Sequence, residues 1–265
     1  MDEVVRIERK GAVAVVTLDR PASLNALNRE MSYQLRDGFM ALSEDQRVRC
    51  VVLRGAGDHF MAGGDIGFFR QGLELPDEER KAEVSGLIGV VHQFITILRE
   101  MPQPVIAGVR GSVAGFGMSL VAAADLAIAA DSARFTQAYS QIGTTPDGGN
   151  TWFLPRAVGT KRAMGLTLLN EPIDAAGACA IGLVNQVVAD SELEAVTLQL
   201  AERLARGPTR AYAQAKRLIN EGMSNTLEQQ LLAEQGSFTR CALSHDFAEG
   251  VTAFMEKRRP EFSGE

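Results

Sequence analysis

The sequence predicts an α/β core over residues 1–190, followed by a helical region over residues 191–265. Short apolar strands alternate with amphipathic helices through the first part, which is typical of a sheet covered by helices. After residue 190, apolar residues recur at helical spacing almost throughout, without a strand pattern. The chain has 265 residues, 46% of them hydrophobic, which is enough for one large domain with an appendage.

The first 110 residues predict alternating strands and helices. Lys10-Gly11 supplies the turn of an N-terminal hairpin, and the first helix is indicated by apolar residues recurring every fourth position. The polar residues 72–83 predict a mobile surface segment. The predicted elements are, in order, strands over 4–8 and 12–18, a helix over 27–39, a strand over 47–55, a helix over 87–98 and a strand over 104–109.

The remainder of the chain predicts three further strands and a series of helices. The apolar stretch 113–130 contains Ser119 and Asp125, which favours a buried helix and strand over a membrane span. The predicted elements are a helix over 121–124, strands over 126–130 and 134–136, a loop over 143–150, helices over 152–158 and 162–169, a strand over 184–188, and three or four helices over 191–256.

Charge and cysteine usage narrow the classes of protein. The net charge of −6, with both signs interspersed, argues against nucleic acid as a partner, although the basic cluster 257–259 suits a small anionic ligand. The three cysteines, Cys50, Cys179 and Cys241, lie far apart and suggest neither a disulfide framework nor a metal site. The N-terminus lacks a signal-peptide pattern. We therefore expect a cytoplasmic protein in a reducing compartment, with no membrane partner.

The stretch Gly111–Leu120 is a glycine-rich turn that follows an apolar strand and opens a helix. Such a turn presents free backbone N–H groups and the positive end of the helix dipole, so it favours an anion. Gly115 and Gly117 flank Phe116, so the backbone there can approach a ligand closely. The third glycine of a dinucleotide-binding fingerprint is absent, because Leu120 occupies that position.

A second turn of the same kind, Phe60–Ile66, follows the strand predicted over 47–55. Asp65 is its candidate helix N-cap. Two such turns can direct one backbone N–H each at a single carbonyl oxygen. This pair of donors is an oxyanion hole, in which each donor contributes about 3–4 kcal/mol to transition-state stabilisation.

The order and separation of these two turns resemble the crotonase (enoyl-CoA hydratase/isomerase) superfamily. The resemblance runs from Leu18-Asp19-Arg20-Pro21 and Asn25-Ala26-Leu27 to Phe254–Arg258. It implies a crotonase-type spiral of ββα units and a C-terminal helical region that forms a homotrimer or a dimer of trimers. It also implies acyl-CoA thioester substrates, with coenzyme A entering only as part of the substrate, and an oxyanion hole at the amides of Gly64 and Phe116.

The residues at the family's catalytic positions depart from those of its hydratases. Where the hydratases use two glutamates, this chain has Ser119 and Tyr139. Serine is no general base near neutral pH, and the pKa of a free tyrosine is about 10. One carboxylate remains, Asp147, in a turn that the resemblance places over the acyl pocket. A single carboxylate can move a proton between two carbons, which predicts a Δ3 to Δ2 enoyl-CoA isomerase; Asp147 as a plain turn-forming residue is the alternative.

Two stretches narrow the resemblance further, residues 146–156 and 162–166. They are similar to 1,2-epoxyphenylacetyl-CoA isomerases, which use an aspartate at the Asp147 position, although Asn150 stands where a glycine is usual. The substrate is accordingly expected to belong to fatty-acid or phenylacetate degradation. The residues that the resemblance places at the CoA and substrate site are Ser23, Leu24, Ala26, Ala62, Gly63, Asp65, Ile66, Gly115 and Lys257.

Three other functions stay open. Overall similarity suits an enoyl-CoA hydratase. An aryl-CoA dehalogenase would use Asp147 as a nucleophile and has a histidine at the position of His92. Against this, that subfamily has a tryptophan at the Tyr139 position and a bulky residue at Gly64, and His92 also reads as an ordinary helix residue. The last alternative is an acyl-CoA-binding member without catalysis.

Overall fold

The computed structural model describes residues 3–265, which form a mixed α/β fold with helices on both faces of a sheet. The strands are β1 (Val5–Lys10), β2 (Val13–Leu18), β3 (Cys50–Gly55), β4 (Val105–Val109), β5 (Ser112–Ala114), β6 (Leu126–Ala130), β7 (Arg134–Thr136), β8 (Ile173–Asp174) and β9 (Gln186–Val188). The helices are α1 (Arg29–Glu44), α2 (Ile66–Gly72), α3 (Asp77–Glu100), α4 (Phe116–Ala123), α5 (Asn150–Val158), α6 (Thr160–Leu169), α7 (Ala175–Ala180), α8 (Leu193–Ala205), α9 (Thr209–Gly222), α10 (Leu227–Ala242) and α11 (His245–Glu256).

The main sheet has six strands in the order β1-β2-β3-β4-β6-β9. Strands β1 and β2 pair antiparallel through the predicted hairpin, and each later neighbour pairs parallel. A second sheet of three short strands, β5-β7-β8, stands beside it. Because β3 and β4 run parallel, the turns that leave them emerge at the same edge, which is where ligands bind in such sheets.

Helices cover both faces of the main sheet. On one face α1 and α3 pack together, with the rings of Phe39 and Phe94 edge to face at 4.9 Å between centroids. On the other face Ala201 and Ala205 of α8 pack on side chains of β2, β3 and β4. Parallel strands are typically apolar on both faces for this reason, and all six residues of β2 are buried.

Helix α3 is the one helix of residues 3–265 that is long and apolar enough to pass as a membrane span by length and composition. Its apolar residues Val91, Phe94 and Leu98 are buried in the core cluster of the fold, and Leu87 is buried as well. That packing accounts for the apolar residues on the buried face of α3.

Some predicted elements differ from the observed ones. Residues 72–83 lie on the surface, as predicted, but they are helical from Asp77 onward, where α3 begins. Three acidic residues, Asp77 to Glu79, favour a helix start by interacting with the dipole, although the turn has no apolar face to reveal it. The helix expected at 121–124 begins earlier, at Phe116. The short elements β5, β8 and α7 were not predicted.

The segment after residue 190 contains four helices and no strand within the described chain, as predicted. An ionic cluster attaches α9 to the core: Lys216 Nζ lies 2.7 Å from Asp125 Oδ2 and donates to the carbonyl of Leu98 at 3.0 Å. Arg99 lies 3.6 Å from the same carboxylate and donates to Asn220 of α9. The domain boundary at 190/191 stays a prediction.

Candidate active site

The two glycine-rich turns lie against each other at the edge of the sheet. Met61 and Val113 form a parallel bridge, in which the Met61 amide donates to Ser112 O at 3.0 Å and Ala114 donates to Met61 O at 2.8 Å. A methyl group built on Gly115 would lie 3.2 Å from the Cα of Gly63. Gly115 also has a φ of +51°, a left-handed value that favours glycine. The closeness of the two turns therefore depends on glycines at both contact points.

The amides predicted to form the oxyanion hole are available for a ligand. Gly64 pairs with Leu27, whose amide donates to Gly63 O at 2.8 Å and whose carbonyl accepts from Asp65 at 2.9 Å. The Gly64 amide therefore faces away from Leu27. Phe116 is the first residue of α4, where an amide has no acceptor within its own helix. Within residues 3–265, neither amide has a hydrogen-bond acceptor.

A loop after β2 holds the second turn in place. Asn25 is fully buried, and its side-chain amide donates to the carbonyls of Ala56 and His59 at 2.9 and 2.7 Å. Arg20 pairs with Asp65 at 2.8 Å and donates to Ala26 O. Asp65 in turn caps α2 by accepting from the Gly67 amide at 2.9 Å, which confirms the predicted N-cap. These bonds fix the backbone on both sides of Gly64.

The turn that carries Asp147 presses on the start of α4. A methyl group built on Gly148 would lie 2.5 Å from Cε2 of Phe116 and 3.2 Å from Cβ of Ser119. Gly148 has a φ of +59° and the next residue, Gly149, one of +75°. The glycine pair therefore lets the chain pass close over the Phe116 ring and leaves Asp147 beside the predicted oxyanion hole.

Asp147, Tyr139 and Ser119 are joined by hydrogen bonds. The Tyr139 hydroxyl donates to Oδ1 of Asp147 at 2.6 Å, and it lies 2.9 Å from the Ser119 Oγ. The Ser119 hydroxyl also lies within donating distance, 3.0 Å, of the backbone carbonyl of Asp147. Ser119 and Tyr139 are buried, whereas Asp147 is half-buried. The structure thus brings together the two hydroxyl residues and the one carboxylate named from the sequence.

The environment shifts the ionisation of both acidic groups. Burial raises the pKa of the Asp147 carboxyl above its usual range, while the bond from Tyr139 and the charge of His92 act in the opposite direction. Burial, with the charge of Asp147, raises the pKa of Tyr139 well above that of a free tyrosine. Tyr139 therefore stays a protonated donor at every working pH, and Asp147 is the group that titrates.

His92 lies on an exposed part of α3 and influences Asp147 through its charge. No hydrogen bond joins its ring to Asp147 among the described residues. The other two histidines make local contacts: His59 Nδ1 accepts from the Ser112 amide at 3.0 Å, and His245 lies near Ser263. Residues 3–265 contain no cluster of three or more His, Cys, Asp or Glu side chains able to hold a metal ion.

The residues predicted for the CoA site fall into two groups. Those of the loop 23–26 and the turn 62–66 are joined by backbone bonds, including Ala62 N to Leu24 O at 3.0 Å, and Gly115 touches the same turn. Lys257 is separate: it ends α11 in a left-handed conformation with an exposed side chain. No hydrogen bond or ion pair of the described residues joins that side chain to the loops.

Sequence reasoning missed residues that support the site. Arg20 and Asn25 were quoted only as part of a motif, and their partners lie far along the chain. Phe69 was not singled out, although its ring would lie 2.8 Å from a methyl group on Gly64 and so borders the predicted oxyanion hole. The only sequence signal for Phe69 is its place on the apolar side of a short helix.

Comparisons with known proteins agree with this geometry. A family model described as enoyl-CoA hydratase/isomerase matches residues 8–265. The chain is 41% identical to a probable enoyl-CoA hydratase of Rhodobacter capsulatus, over 98% of both chains. It is 38% identical to the 1,2-epoxyphenylacetyl-CoA isomerase of Escherichia coli, over 100% of this chain and 99% of the relative. The crystal structure of an enoyl-CoA hydratase from Polaromonas sp. JS666 superposes with a TM-score of 0.92 at 34% identity, covering 97% of this chain and 99% of that one.

Proposed function

The chain belongs to the enoyl-CoA hydratase/isomerase family, and we propose that within it the protein is an acyl-CoA isomerase that shifts a Δ3 double bond to Δ2. The family implies an acyl-CoA thioester as substrate. The observation that carries the choice of isomerase is the Asp147 site: one carboxylate, hydrogen-bonded to a tyrosine and adjoined by a serine, at positions where hydratases carry two glutamates.

The proposed reaction uses the oxyanion hole and Asp147 in turn. The Gly64 and Phe116 amides bind the thioester oxygen, and Asp147 removes a proton from the α carbon. The electrons of that C–H bond form a dienolate whose negative oxygen the two amides stabilise. Asp147, now protonated, returns the proton to the γ carbon, and the double bond becomes conjugated with the thioester. No atom is gained or lost, and Asp147 ends as it began.

The raised pKa of Asp147 suits both steps. A carboxylate with an ordinary pKa is a weak base and, once protonated, loses its proton to water readily. Burial moves its proton affinity towards that of a group working near neutral pH, which improves removal and return together. Hydration by this family requires a water molecule that carboxylates hold and activate. Ser119 and Tyr139, at the positions of those carboxylates, cannot act as bases on the water.

A ring-derived acyl-CoA is a second form of the same activity. It is supported by the 38% identity with the Escherichia coli 1,2-epoxyphenylacetyl-CoA isomerase over the full chain. Two aromatic rings, Phe69 and Phe116, border the site and would suit a flat acyl group. Competition between a linear 3-enoyl-CoA and an aryl-acetyl-CoA for binding would rank the two substrate types.

The proposal is tested by incubating the protein separately with a 3-enoyl-CoA and a 2-enoyl-CoA, and following mass and ultraviolet absorbance. We expect the first substrate to gain conjugated-enoyl absorbance at unchanged mass, and Asp147→Asn to abolish the change. A gain of one water by the second substrate would overturn the isomerase proposal in favour of a hydratase. Binding of both thioesters without turnover would leave an acyl-CoA-binding protein.

We further propose that the protein is a homotrimer, or a dimer of trimers, assembled through its C-terminal helices. The supporting observation is a set of large apolar side chains on α10, on α11 and in the turn between them that a single chain leaves exposed. Leu243, for example, is 85% exposed and Phe254 84%. Large apolar side chains exposed in such number mark interfaces. The exposed members are Leu227, Leu231, Leu232, Phe238, Leu243, Phe247, Val251, Phe254 and Met255.

A further inference from the structure

Three short polar contacts around Asp147 close into a ring. Starting at Oδ1 of Asp147, the ring runs to the Tyr139 hydroxyl (2.6 Å), to the Ser119 Oγ (2.9 Å) and back to the Asp147 backbone carbonyl (3.0 Å). Its two hydroxyl members are withdrawn from solvent, with Ser119 fully buried and Tyr139 9% exposed. Both the backbone and the side chain of Asp147 are therefore held from the same side.

The three contacts of the ring share two hydroxyl protons, and only the direction of the Tyr139–Asp147 bond is fixed. Tyr139 has one hydroxyl proton, and the short bond to the carboxylate uses it. Ser119 has one proton as well, which goes either to the tyrosine oxygen or to the Asp147 carbonyl. Apart from its own backbone amide, the carboxylate has no donor besides Tyr139 among the described residues, so Oδ1 is occupied and no other residue donates to Oδ2. A carboxylate held in this way offers a substrate one oxygen only.

We propose that Tyr139 and Ser119 are positioning residues that make Oδ2 of Asp147 the single atom that takes the substrate proton and gives it back. The proposal rests on the proposed isomerase function. Neither hydroxyl touches the reacting carbons. Tyr139 fixes the plane of the carboxylate through Oδ1, and Ser119 donates its one proton to the tyrosine oxygen or to the Asp147 backbone carbonyl, against which that plane is set.

The ring also explains how the proton is kept for the return step. When Oδ2 takes the proton from the α carbon, Oδ1 still accepts from Tyr139, so the new O–H remains on the side away from the ring. Tyr139 cannot take this proton, because its oxygen already carries one and a second would make an oxonium. The proton therefore goes back to the dienolate, and both transfers occur from one face of the acyl chain.

Few groups outside the ring influence the pKa of the Asp147 carboxyl. Burial raises its pKa, and three influences oppose this: the bond from Tyr139, the charge of His92 on α3, and a hydrogen bond from the backbone of Asp147 itself. Ser119 on α4 does not titrate in the working range. Removing the Tyr139 hydroxyl removes a donor that stabilises the charged carboxylate, so it raises the pKa of Asp147 further. Because the charged form is the base, activity in the variant is lost at a higher pH than in the wild type.

The test compares Tyr139→Phe with Tyr33→Phe, a matched change at an exposed tyrosine of α1 whose ring stacks with Arg36. We expect Tyr139→Phe to lower kcat on a 3-enoyl-CoA by about 10–100-fold and to change KM by less than about threefold, because binding is untouched while the base is misplaced. The acidic limb of its pH–rate profile should move to higher pH. Tyr33→Phe should match the wild type in all three quantities.

Ser119→Ala provides a second variant should Tyr139→Phe fail to fold. It should lower kcat about 3–10-fold and move the acidic limb in the same direction, because the tyrosine oxygen loses its neighbour. Ser140→Ala, at an exposed serine one residue after Tyr139, is its control. A KM effect without a kcat effect in both ring variants would mean that the hydroxyls only line the pocket, and would overturn the proposal.

A readout independent of turnover separates this proposal from the proposed function. Protein labelled with ¹³C at aspartate carboxyl carbons is titrated by NMR, and Asp147→Asn identifies the Asp147 signal. We expect a midpoint above that of ordinary aspartates, and a higher one in Tyr139→Phe. If that shift is found and no enoyl-CoA is isomerised, the isomerase proposal fails and the ring stands. If turnover is found and the midpoint is the same in both proteins, the positioning role is refuted.

Discussion

Replacing Gly148 by alanine tests whether the Asp147 turn is set by its contact with Phe116. The added methyl group would lie 2.5 and 2.8 Å from two ring carbons of Phe116 and 3.2 Å from Cβ of Ser119. The Phe116 ring is 2% exposed, so it has little room to move aside. The backbone is also strained for alanine, because Gly148 has a φ of +59°.

The two costs can be given magnitudes. A left-handed conformation costs alanine about 1 kcal/mol relative to glycine. Forcing a methyl group into a packed site costs about 1–3 kcal/mol more. The expected loss of unfolding free energy is therefore about 2–4 kcal/mol, a large part of the stability of a typical domain. Since the change adjoins Asp147, a shift of about 1 Å there should lower turnover on a 3-enoyl-CoA about 100-fold.

Gly143 supplies the matched control, because it has the same kind of backbone without the overlap. Its φ is +72°, and a methyl group built on it would meet nothing within 4 Å. Gly143→Ala should lose only the conformational cost of about 1 kcal/mol and keep its turnover. Both variants are unfolded in urea at one protein concentration, because assembly would make stability depend on concentration. Equal losses in the two variants, with turnover intact in Gly148→Ala, would refute the contact as the feature that places Asp147.

Three other changes have expected outcomes that follow from the structure. Asp147→Asn should unfold at a higher urea concentration than the wild type at neutral pH. Burial raises the pKa of Asp147 in the folded protein, so the charged carboxylate opposes folding at that pH. The difference in urea midpoint should shrink as the pH falls and the wild-type carboxyl becomes protonated. Asp125→Asn should lose about 3 kcal/mol of unfolding free energy in urea, because it removes the carboxylate partner of the buried Lys216 ammonium; a loss below about 1 kcal/mol would contradict this. Phe254→Glu should lower the mass measured by light scattering to that of a smaller assembly, whereas an unchanged mass would exclude the exposed end of α11 from the subunit interface.

The sequence predicts the parts of the fold and site that depend on local pattern. The hairpin about Lys10-Gly11 follows from alternation and a glycine turn, and the observed turn residue Gly11 has a φ of +62°. The two glycine-rich turns could be predicted to meet because both follow parallel strands, and carboxyl ends of parallel strands lie at one edge. The N-cap role of Asp65 needed only its position before an apolar residue.

Contacts between distant residues could not be predicted in this way. The Arg20–Asp65 pair spans 45 positions and the Ser119 bond to the Asp147 carbonyl spans 28, and neither leaves a periodic signal. Ala138, the residue before Tyr139, adopts a left-handed conformation, φ +59°, with its amide bound to the side chain of Asn170. Alanine is an unexpected residue for that conformation, so propensity gave no indication of it. The predicted start of helix α3, residue 87, lies well after its observed start at Asp77. The first turns of the helix are exposed and lack any apolar repeat that would have indicated them.

Hydroxyl side chains at positions 119 and 139, in place of the glutamates expected in a hydratase, alter the electrostatics of the whole site. Carboxylates at positions 119 and 139 would place two more negative charges within hydrogen-bonding reach of Asp147, and like charges this close cannot all ionise. With hydroxyls there, Asp147 is the one carboxylate of its ring, and burial rather than repulsion sets its proton affinity. A hydratase needs groups that activate a water molecule and protonate a carbon atom of the same bound substrate. One carboxylate with one free oxygen is better matched to moving a single proton between two carbons. Introducing a glutamate at position 119 should therefore weaken isomerisation by raising the pKa of Asp147 and displacing Tyr139. Hydration by that variant without any loss of isomerisation would contradict the electrostatic argument.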